Sequence, residues 1–395
     1  MLAQRMSRVE YAIRDLVAEA QKLERAGKKV LYANIGDPQK YGFEPPRAML
    51  EALHGAVHAG HNYYTDSEGD AECRQAIAER ERRIGGAKIA PEDVIVTAGV
   101  SEAILFLNAA LIEEGGEALL PGPGYPPYMS YANFFGGRPV FYRTAEENGW
   151  QPDISDVEKK ITGRTKYLLV INPNNPTGAV YSKKTLKEII NLAGQHKLVL
   201  VADEVYDSLT FDKPFHSMAG LAAEAGVPII VFNGLSKGYM ATGWRLGWAC
   251  FVNADEQLNA VKEAMLKLAR VRLCAPTPVQ KAAIPMLRNS EKVLKKEVEA
   301  LRERRDFSYK RLNEIPGISA AKPEGAFYIF PKIEDAKWKD DKSFVLDLLH
   351  KKRVLAVHGS GFGGYGEGHF RIVFLPEVKI LAEIYDRLEA FMKAQ

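Results

Sequence analysis

The sequence is poor in cysteine, in net charge and in long apolar segments. Its three cysteines, Cys73, Cys250 and Cys274, are far apart and have no CxxC or Cys/His spacing, which argues against a disulfide framework and a metal site. Lys and Arg total 53 against 50 Asp and Glu, and this near balance does not indicate nucleic-acid binding. No apolar run reaches membrane-spanning length, and the N-terminal segment is charged and amphipathic rather than signal-like. We therefore predict a cytoplasmic protein that binds neither nucleic acid nor a membrane.

The order of apolar patterns predicts two domains of the α/β class. From about residue 94 to residue 252, short β-branched runs alternate with longer helical patterns, which predicts a mostly parallel sheet covered by helices on both faces. Long charged helices follow, and then strand-like pieces and a last amphipathic helix. We predict a large domain over residues 46–290. Residues 1–45 and 291–395 would form a smaller α+β domain from both termini.

Polar residues follow the carboxyl ends of successive predicted strands, where ligands bind to an open parallel sheet. Val100 and Ser101 follow the strand "VIVTA" at the start of a helix, which predicts an anion site. The motif "NPNNPTG", residues 172–178, follows "YLLVI", although turn chemistry alone explains it equally well. Asp203 ends "LVLVA", and a buried carboxylate there requires a cationic partner. Lys237 follows "VPIIVFNG".

These side chains together match the needs of one cofactor, pyridoxal 5'-phosphate. Only a primary amine such as that of Lys237 condenses with its aldehyde. A carboxylate such as that of Asp203 keeps its pyridine nitrogen protonated, so that the ring accepts electrons. Its dianionic phosphate requires a helix N-terminus, hydroxyl groups and a guanidinium. In this chain the candidates for the phosphate are Val100, Ser101, Ser236 and Arg245.

The chain resembles the fold type I, class I/II pyridoxal-phosphate-dependent aminotransferases over essentially its full length. Within that family it is most similar to the archaeal-type alanine aminotransferases. "SK" or "NPTG" alone would be a weak signal, but the order and spacing of the matching motifs are specific. These motifs are "NIGDPQ" (residues 34–39), "YTDSEG" (64–69), "TAGVSEAI" (97–104), "PGPGYPPY" (121–128), "NPNNPTG" (172–178), "DEVY" (203–206), "SKGYMATGWRLGW" (236–248) and "GHFRIVF" (368–374).

The resemblance implies roles around the cofactor. Lys237 is similar to the lysine that bonds to the cofactor and then moves a proton between it and the substrate α-carbon. Asp203 is similar to the partner of the pyridine nitrogen. Asn175 and Tyr206 resemble the pair that hydrogen-bonds the ring oxygen, and Tyr125 resembles the aromatic side chain that stacks on the ring.

The resemblance also implies substrate contacts and a partner subunit. Arg371 matches the arginine that holds the substrate α-carboxylate through its planar fork. Gly36 and Asn175 match groups beside the same carboxylate, and the small domain is expected to close over the substrate. Tyr64 matches a tyrosine that reaches the phosphate of the neighbouring subunit. We therefore expect a homodimer with shared active sites.

The expected reaction is amino-group transfer from an L-amino acid to a 2-oxo acid, with L-alanine and 2-oxoglutarate giving pyruvate and L-glutamate. An aspartate or broad aromatic aminotransferase and a C–S β-lyase with the same cofactor are alternatives. A non-catalytic regulator would need an appended DNA-binding module, of which the sequence shows no sign. Arg270 or Arg272 is a candidate for a distal substrate carboxylate, within the chain or across the dimer, but either residue equally suits a helix end.

Overall fold

The structure is a computed structural model, and it describes residues 2–9, 16–289, 294–335, 337–338 and 340–394. The α-helices in these ranges span Val17–Arg25, Arg47–His58, Ala71–Gly85, Val100–Leu111, Pro126–Phe134, Ile154–Lys160, Lys183–Gln195, Met218–Ala225, Leu235–Gly238, Glu256–Arg272, Thr277–Arg288, Lys295–Asn313, Asp341–Lys352 and Val378–Lys393. Short 3-10 helices span Gln4–Arg8, Pro38–Tyr41, Pro91–Asp93, Glu146–Asn148, Thr242–Trp244 and Gly359–Phe362. In the described ranges, no helix has the length and apolar character needed to cross a membrane.

A large mixed sheet forms the centre of the protein. Within the described residues it has eight strands, in the spatial order Val94–Thr97, Gly247–Val252, Ile229–Gly234, Val199–Asp203, Thr165–Ile171, Glu117–Gly122, Arg138–Ala145 and Gln151–Pro152. The run from Ile229–Gly234 to Arg138–Ala145 is parallel, whereas Gly247–Val252 and Gln151–Pro152 are antiparallel to their neighbours. Apolar side chains pack against helices on both faces. The predicted α/β fold class is confirmed.

Besides the two-residue strand Gln151–Pro152, two longer strands of this sheet are not predicted by the sequence pattern. Glu117–Gly122 has the sequence "EALLPG", whose proline and glycine favour a turn, yet all of its residues are buried. Arg138–Ala145 begins exposed and only its last part is buried, so its apolar pattern is incomplete. Both segments form strands because they pair with neighbouring strands of the sheet. The local sequence pattern contains no information on such pairings.

The smaller sheets are built from the two ends of the chain. Leu31–Tyr32 pairs in parallel with Val354–Leu355, and Ile318–Ser319 pairs antiparallel with Lys332–Ile333. A three-stranded antiparallel sheet has the order Tyr328–Ile329, Phe370–Val373 and Val357–His358. One apolar cluster joins side chains from residues 16–43 with side chains from residues 294–392. The small domain formed by both termini is thus confirmed, while its limits near residues 46 and 290 stay predictions.

Candidate active site

A cavity of about 840 Å³ lies at the carboxyl ends of the parallel strands, beneath residues of the small domain. Eleven of the twelve predicted cofactor and substrate residues line it, namely Gly36, Val100, Ser101, Tyr125, Asn175, Asp203, Tyr206, Ser236, Lys237, Arg245 and Arg371. The remaining residue, Tyr64, lies outside the cavity as the described residues form it, and 78% of its surface is exposed. The polar residues predicted at the ends of successive strands therefore line a single cavity.

Lys237 enters the cavity from a sharp turn after a central strand. The strand Ile229–Gly234 is followed at once by the short helix Leu235–Gly238. A Cβ atom at Gly234 would lie 2.8 Å from the carbonyl oxygen of Leu246, so a larger residue does not fit this turn. The Lys237 Nζ donates a hydrogen bond to the carbonyl oxygen of Gly36 at 2.7 Å. Desolvation lowers the pKa of Lys237 to about 8, Asp37 opposes this shift, and nearby arginines add to it.

Asp203 is a buried carboxylate without a cation beside it. It ends the strand Val199–Asp203, and its Oδ2 accepts a hydrogen bond from the Tyr128 hydroxyl at 2.9 Å. Its Oδ1 accepts from the backbone N–H of Val205 at 3.3 Å. Burial raises the pKa of Asp203 to about 6, although both hydrogen bonds oppose this. No lysine, arginine or histidine of the described residues forms an ion pair with it within 4 Å, and the more distant Lys237 amine lowers its pKa only as the last of the causes.

An anion pocket forms where the helix Val100–Leu111 begins. Arg245 lies against this helix N-terminus, with Nη1 donating to Ser236 Oγ at 3.4 Å and to the Thr242 carbonyl at 3.0 Å. A Cβ atom at Gly99 would lie 2.3 Å from Arg245 Nη2, so the close approach requires glycine. A guanidinium, free helix N–H groups and the hydroxyl of Ser236 are the donors that a phosphate dianion needs.

Arg371 lies on the opposite side of the cavity in the strand Phe370–Val373 and is only 1% exposed. Its Nη1 donates to Asn175 Oδ1 at 2.8 Å, and its Nη2 donates to the Asn34 carbonyl. Its guanidinium carbon lies 4.4 Å from the ring centre of Tyr328 and 4.8 Å from that of Phe362. Among the described residues its Nε has no hydrogen-bond partner. This buried cation fits a small carboxylate.

Sequence analysis missed several residues that contact the site. Tyr328 lines the cavity, and its hydroxyl lies 2.8 Å from that of Tyr206. Asp37 lines the cavity too, and its Oδ1 accepts from Thr242 Oγ1 at 2.8 Å. Asp37, and Tyr128 beside Asp203, belong to motifs that the sequence analysis identified. Tyr328 does not, because a tyrosine inside the apolar run "AFYIF" looks like an ordinary core residue.

The candidate arginines for a distal carboxylate are engaged elsewhere in this chain. Arg272 pairs with Glu102 at 2.6 Å and donates to the backbone carbonyls of Ser67 and Val96. Arg270 lies 3.8 Å from Glu263 on the surface. Neither arginine lines the cavity. The interpretation as helix-end residues therefore agrees with their contacts within the chain.

A second group of buried charges, which we call the Arg80 cluster, lies outside the cavity. Arg80 forms ion pairs of 2.6 Å with both Asp207 and Glu81, and its Nε donates to the Tyr239 hydroxyl at 3.2 Å. Asp207 also accepts from Asn233 Nδ2 at 2.8 Å. Burial by itself would lower the pKa of Arg80, but the neighbouring acidic groups raise it overall. Through Asn233 and Tyr239, the cluster contacts the chain just before and just after Lys237.

The chain matches known proteins over nearly its full length. Residues 30–385 match the family model described as aminotransferase class I and II. An alanine aminotransferase structure from Pyrococcus furiosus shares 56% sequence identity and a TM-score of 0.97, with complete coverage of both chains. The alanine aminotransferase of Mycobacterium tuberculosis (strain ATCC 25618 / H37Rv) is 39% identical, covering 97% of this chain and 90% of the relative.

A further relative agrees with this assignment. The glutamate-pyruvate aminotransferase AlaA of Escherichia coli (strain K12) is 39% identical over 380 residues, which cover 95% of this chain and 93% of the relative. These matches confirm the resemblance on which the interpretation of the motifs rests. The chain therefore belongs to the class I and II aminotransferase family, and it is a pyridoxal-phosphate-dependent enzyme.

Proposed function

We propose that the enzyme transfers the amino group of L-alanine to 2-oxoglutarate, giving pyruvate and L-glutamate. The names of the relatives from Pyrococcus furiosus, Mycobacterium tuberculosis and Escherichia coli support this choice of substrates. The observation that carries the reaction type is that Lys237, Asp203 and Arg371 line one cavity, in which Asp203 has no ion pair within the described residues and Arg371 Nε has no hydrogen-bond partner among them. An amine, a carboxylate and a guanidinium in this arrangement suit a cofactor and an amino acid bound side by side.

The residues of the cavity fit pyridoxal 5'-phosphate. When bound, this cofactor supplies an electron-accepting ring for the α-carbon of the substrate. Asp203 would face its pyridine nitrogen, and this contact would supply the cation that the buried carboxylate lacks. Ser236, Arg245 and the helix N-terminus at Val100 and Ser101 would hold its phosphate. Three further residues would contact its ring: Tyr125, Asn175 and Tyr206.

Lys237 would hold and move the proton of the reaction. Its surroundings lower its pKa to about 8, so a useful fraction of the amine is neutral near neutral pH. A neutral amine would take a proton from the substrate α-carbon, and the resulting ammonium would give that proton to the bound cofactor. A catalytic pKa near the working pH is efficient in both directions. This reversibility suits transamination.

Arg371 would select the bond that breaks. Its guanidinium, held by Asn175 and the Asn34 carbonyl, would bind the α-carboxylate beside the backbone of Gly36. An ion pair there would stabilise the carboxylate against loss as carbon dioxide and would direct the α-hydrogen towards Lys237. The arrangement thus favours proton transfer over decarboxylation.

We also propose a cytoplasmic homodimer whose subunits share their active sites. Exposed aromatic and aliphatic side chains at Tyr63, Tyr64, Val271 and Leu273 support a partner surface. Tyr64 would reach the phosphate in the partner's cavity, and three unpaired cysteines agree with a reducing compartment. Sedimentation of the holoenzyme as a monomer at micromolar concentration would contradict the dimer.

The test of the proposed function is a set of single half-reactions followed by cofactor absorbance. Alanine and glutamate should each change the absorbance rapidly, while aspartate and phenylalanine should react more slowly. A preference for aspartate or phenylalanine would assign the enzyme to the alternative specificities. Release of ammonia and pyruvate without an oxo acid acceptor would assign a β-lyase. A protein that stays colourless with added cofactor would overturn the proposal.

A further inference from the structure

We propose that Tyr328 is a positioning residue that connects the cofactor side of the cavity with its substrate side. Its hydroxyl would orient Tyr206, and its ring would orient Arg371. The proposal rests on the roles proposed above for Tyr206 and Arg371, and it adds a residue that links them.

Tyr328 is buried between the two residues. It is 3% exposed and lies in the strand Tyr328–Ile329, which pairs with the strand Phe370–Val373 that carries Arg371. The guanidinium carbon of Arg371 lies 4.4 Å from the centre of the Tyr328 ring. On the other side, the hydroxyls of Tyr328 and Tyr206 are 2.8 Å apart and their rings meet edge to face. One side chain therefore contacts a residue on each side of the cavity.

The backbone at Gly36 completes the contact. A Cβ atom at Gly36 would lie 2.3 Å from the Tyr328 hydroxyl oxygen and 2.7 Å from Phe327 Cε2. Because Gly36 has no side chain, the Tyr328 hydroxyl can lie against its backbone. The carbonyl oxygen of Gly36 also accepts the hydrogen bond from Lys237. Tyr328 consequently packs against three predicted site residues at once, namely Gly36, Tyr206 and Arg371.

The hydroxyls of Tyr206 and Tyr328 are close enough for either to donate, and the cation over the Tyr328 ring favours Tyr328 as the donor. A guanidinium above an aromatic face is attracted to the electron density of the ring, and this withdrawal makes the phenol of Tyr328 the better donor. Tyr328 then donates to Tyr206, whose own proton points into the cavity. Burial raises the pKa of Tyr206, so Tyr206 keeps that proton. Tyr206 is thereby prepared as a hydrogen-bond donor to the cofactor ring oxygen.

The experiment measures the pH midpoint of the visible absorbance of the holoenzyme. Tyr328→Phe keeps the ring over Arg371 and removes only the hydroxyl. We expect its midpoint to shift in the same direction as that of Tyr206→Phe but by less, roughly 0.3 to 1 pH unit, because one hydrogen bond changes an equilibrium about two- to tenfold. The double variant should equal Tyr206→Phe alone, since the hydroxyl acts through Tyr206.

A matched control is Tyr385→Phe, because Tyr385 is also a buried tyrosine of the small domain but does not line the cavity. It should leave the midpoint unchanged. Tyr328→Leu, which also removes the ring, should raise the KM for alanine several-fold more than Tyr328→Phe does. Thermal unfolding of each variant separates these effects from general destabilisation.

An unchanged midpoint in Tyr328→Phe, or a shift that adds fully to that of Tyr206→Phe, would overturn the proposal. Equal KM values for Tyr328→Leu and Tyr328→Phe would overturn the part that concerns Arg371. These outcomes are distinct from failure of the proposed function, because the midpoint requires only bound cofactor. If the unaltered enzyme reacted with no amino acid, the proposed function would fail while the midpoint comparison still tested the link between the tyrosines.

Discussion

The Arg80 cluster and the cavity both contain buried charges, but they differ in how these charges are paired. In the cluster, Arg80 meets two carboxylates at 2.6 Å and a tyrosine hydroxyl. In the cavity, Asp203 has only neutral donors, and Arg371 keeps an Nε without a partner among the described residues. A buried charge that lacks its counter-charge destabilises the folded chain unless a ligand supplies one. A buried cation held directly by carboxylates of the chain therefore indicates a structural role, whereas a buried carboxylate and a buried guanidinium that lack an ion pair and line one cavity indicate a binding site.

The largest expected effect concerns the amine of the cavity. Lys237→Ala removes the proton carrier and should lower the rate of the alanine half-reaction by at least about 10³-fold. The cofactor-free variant should be at least as stable as the unaltered protein, because the side chain makes one hydrogen bond, to Gly36, and its desolvated amine opposes folding at neutral pH. Single-turnover absorbance measures the rate. Lys262→Ala, which breaks a 2.7 Å ion pair with Asp93 outside the cavity, is the matched control and should keep its rate within about twofold. Persistent turnover in Lys237→Ala would contradict the assigned role.

The next effect concerns stability. Arg80→Met leaves Asp207 and Glu81 buried without their cation, so we expect the free energy of unfolding to fall by about 3–5 kcal/mol. Urea unfolding of the holoenzyme measures this loss. Replacing all three residues by apolar ones of similar volume should recover most of it, because no uncompensated charge remains. If Arg80→Met were as stable as the unaltered protein, the distinction between the two regions would not hold.

The smallest expected effect is a pH-dependent gain in the stability of the cofactor-free protein. In the cofactor-free protein the pKa of Asp203 is raised to about 6, so this group loses stabilising free energy as the pH rises through that value. Asp203→Asn should therefore stabilise the cofactor-free protein at pH 8, by on the order of 1–3 kcal/mol, and the gain should shrink towards pH 4. Urea unfolding at pH 4.5 and 8 measures the difference. A pH-independent gain, or a loss at pH 8, would show that Asp203 is already compensated by the chain.

Much of the site could be predicted from the sequence because strand ends leave a strong pattern. Asp203 and Lys237 interrupt or follow apolar runs, and a parallel sheet brings the ends of such runs to one edge. Arg371 has no comparable signal, since an arginine that opens a strand is more often exposed, and only its motif identified it. The structure brings all three to the same cavity.

The rest depends on contacts between distant segments. Tyr328 and Tyr206 are 122 positions apart, and nothing in "AFYIF" indicates that its tyrosine faces a cavity. The strand Glu117–Gly122 was missed because its proline and glycine favour a turn locally, whereas strands on both sides bury it. The role of Tyr64 depends on a second subunit and stays a prediction.

The glycine at position 99 has a consequence for how this site can vary. Its φ of +79° and the 2.3 Å between its hypothetical Cβ and Arg245 Nη2 leave no place for even a methyl group. Any other residue there must displace the guanidinium or reshape the first turn of the helix. A substitution at this glycine should therefore weaken phosphate binding even though the side chains of Ser101, Ser236 and Arg245 are all retained.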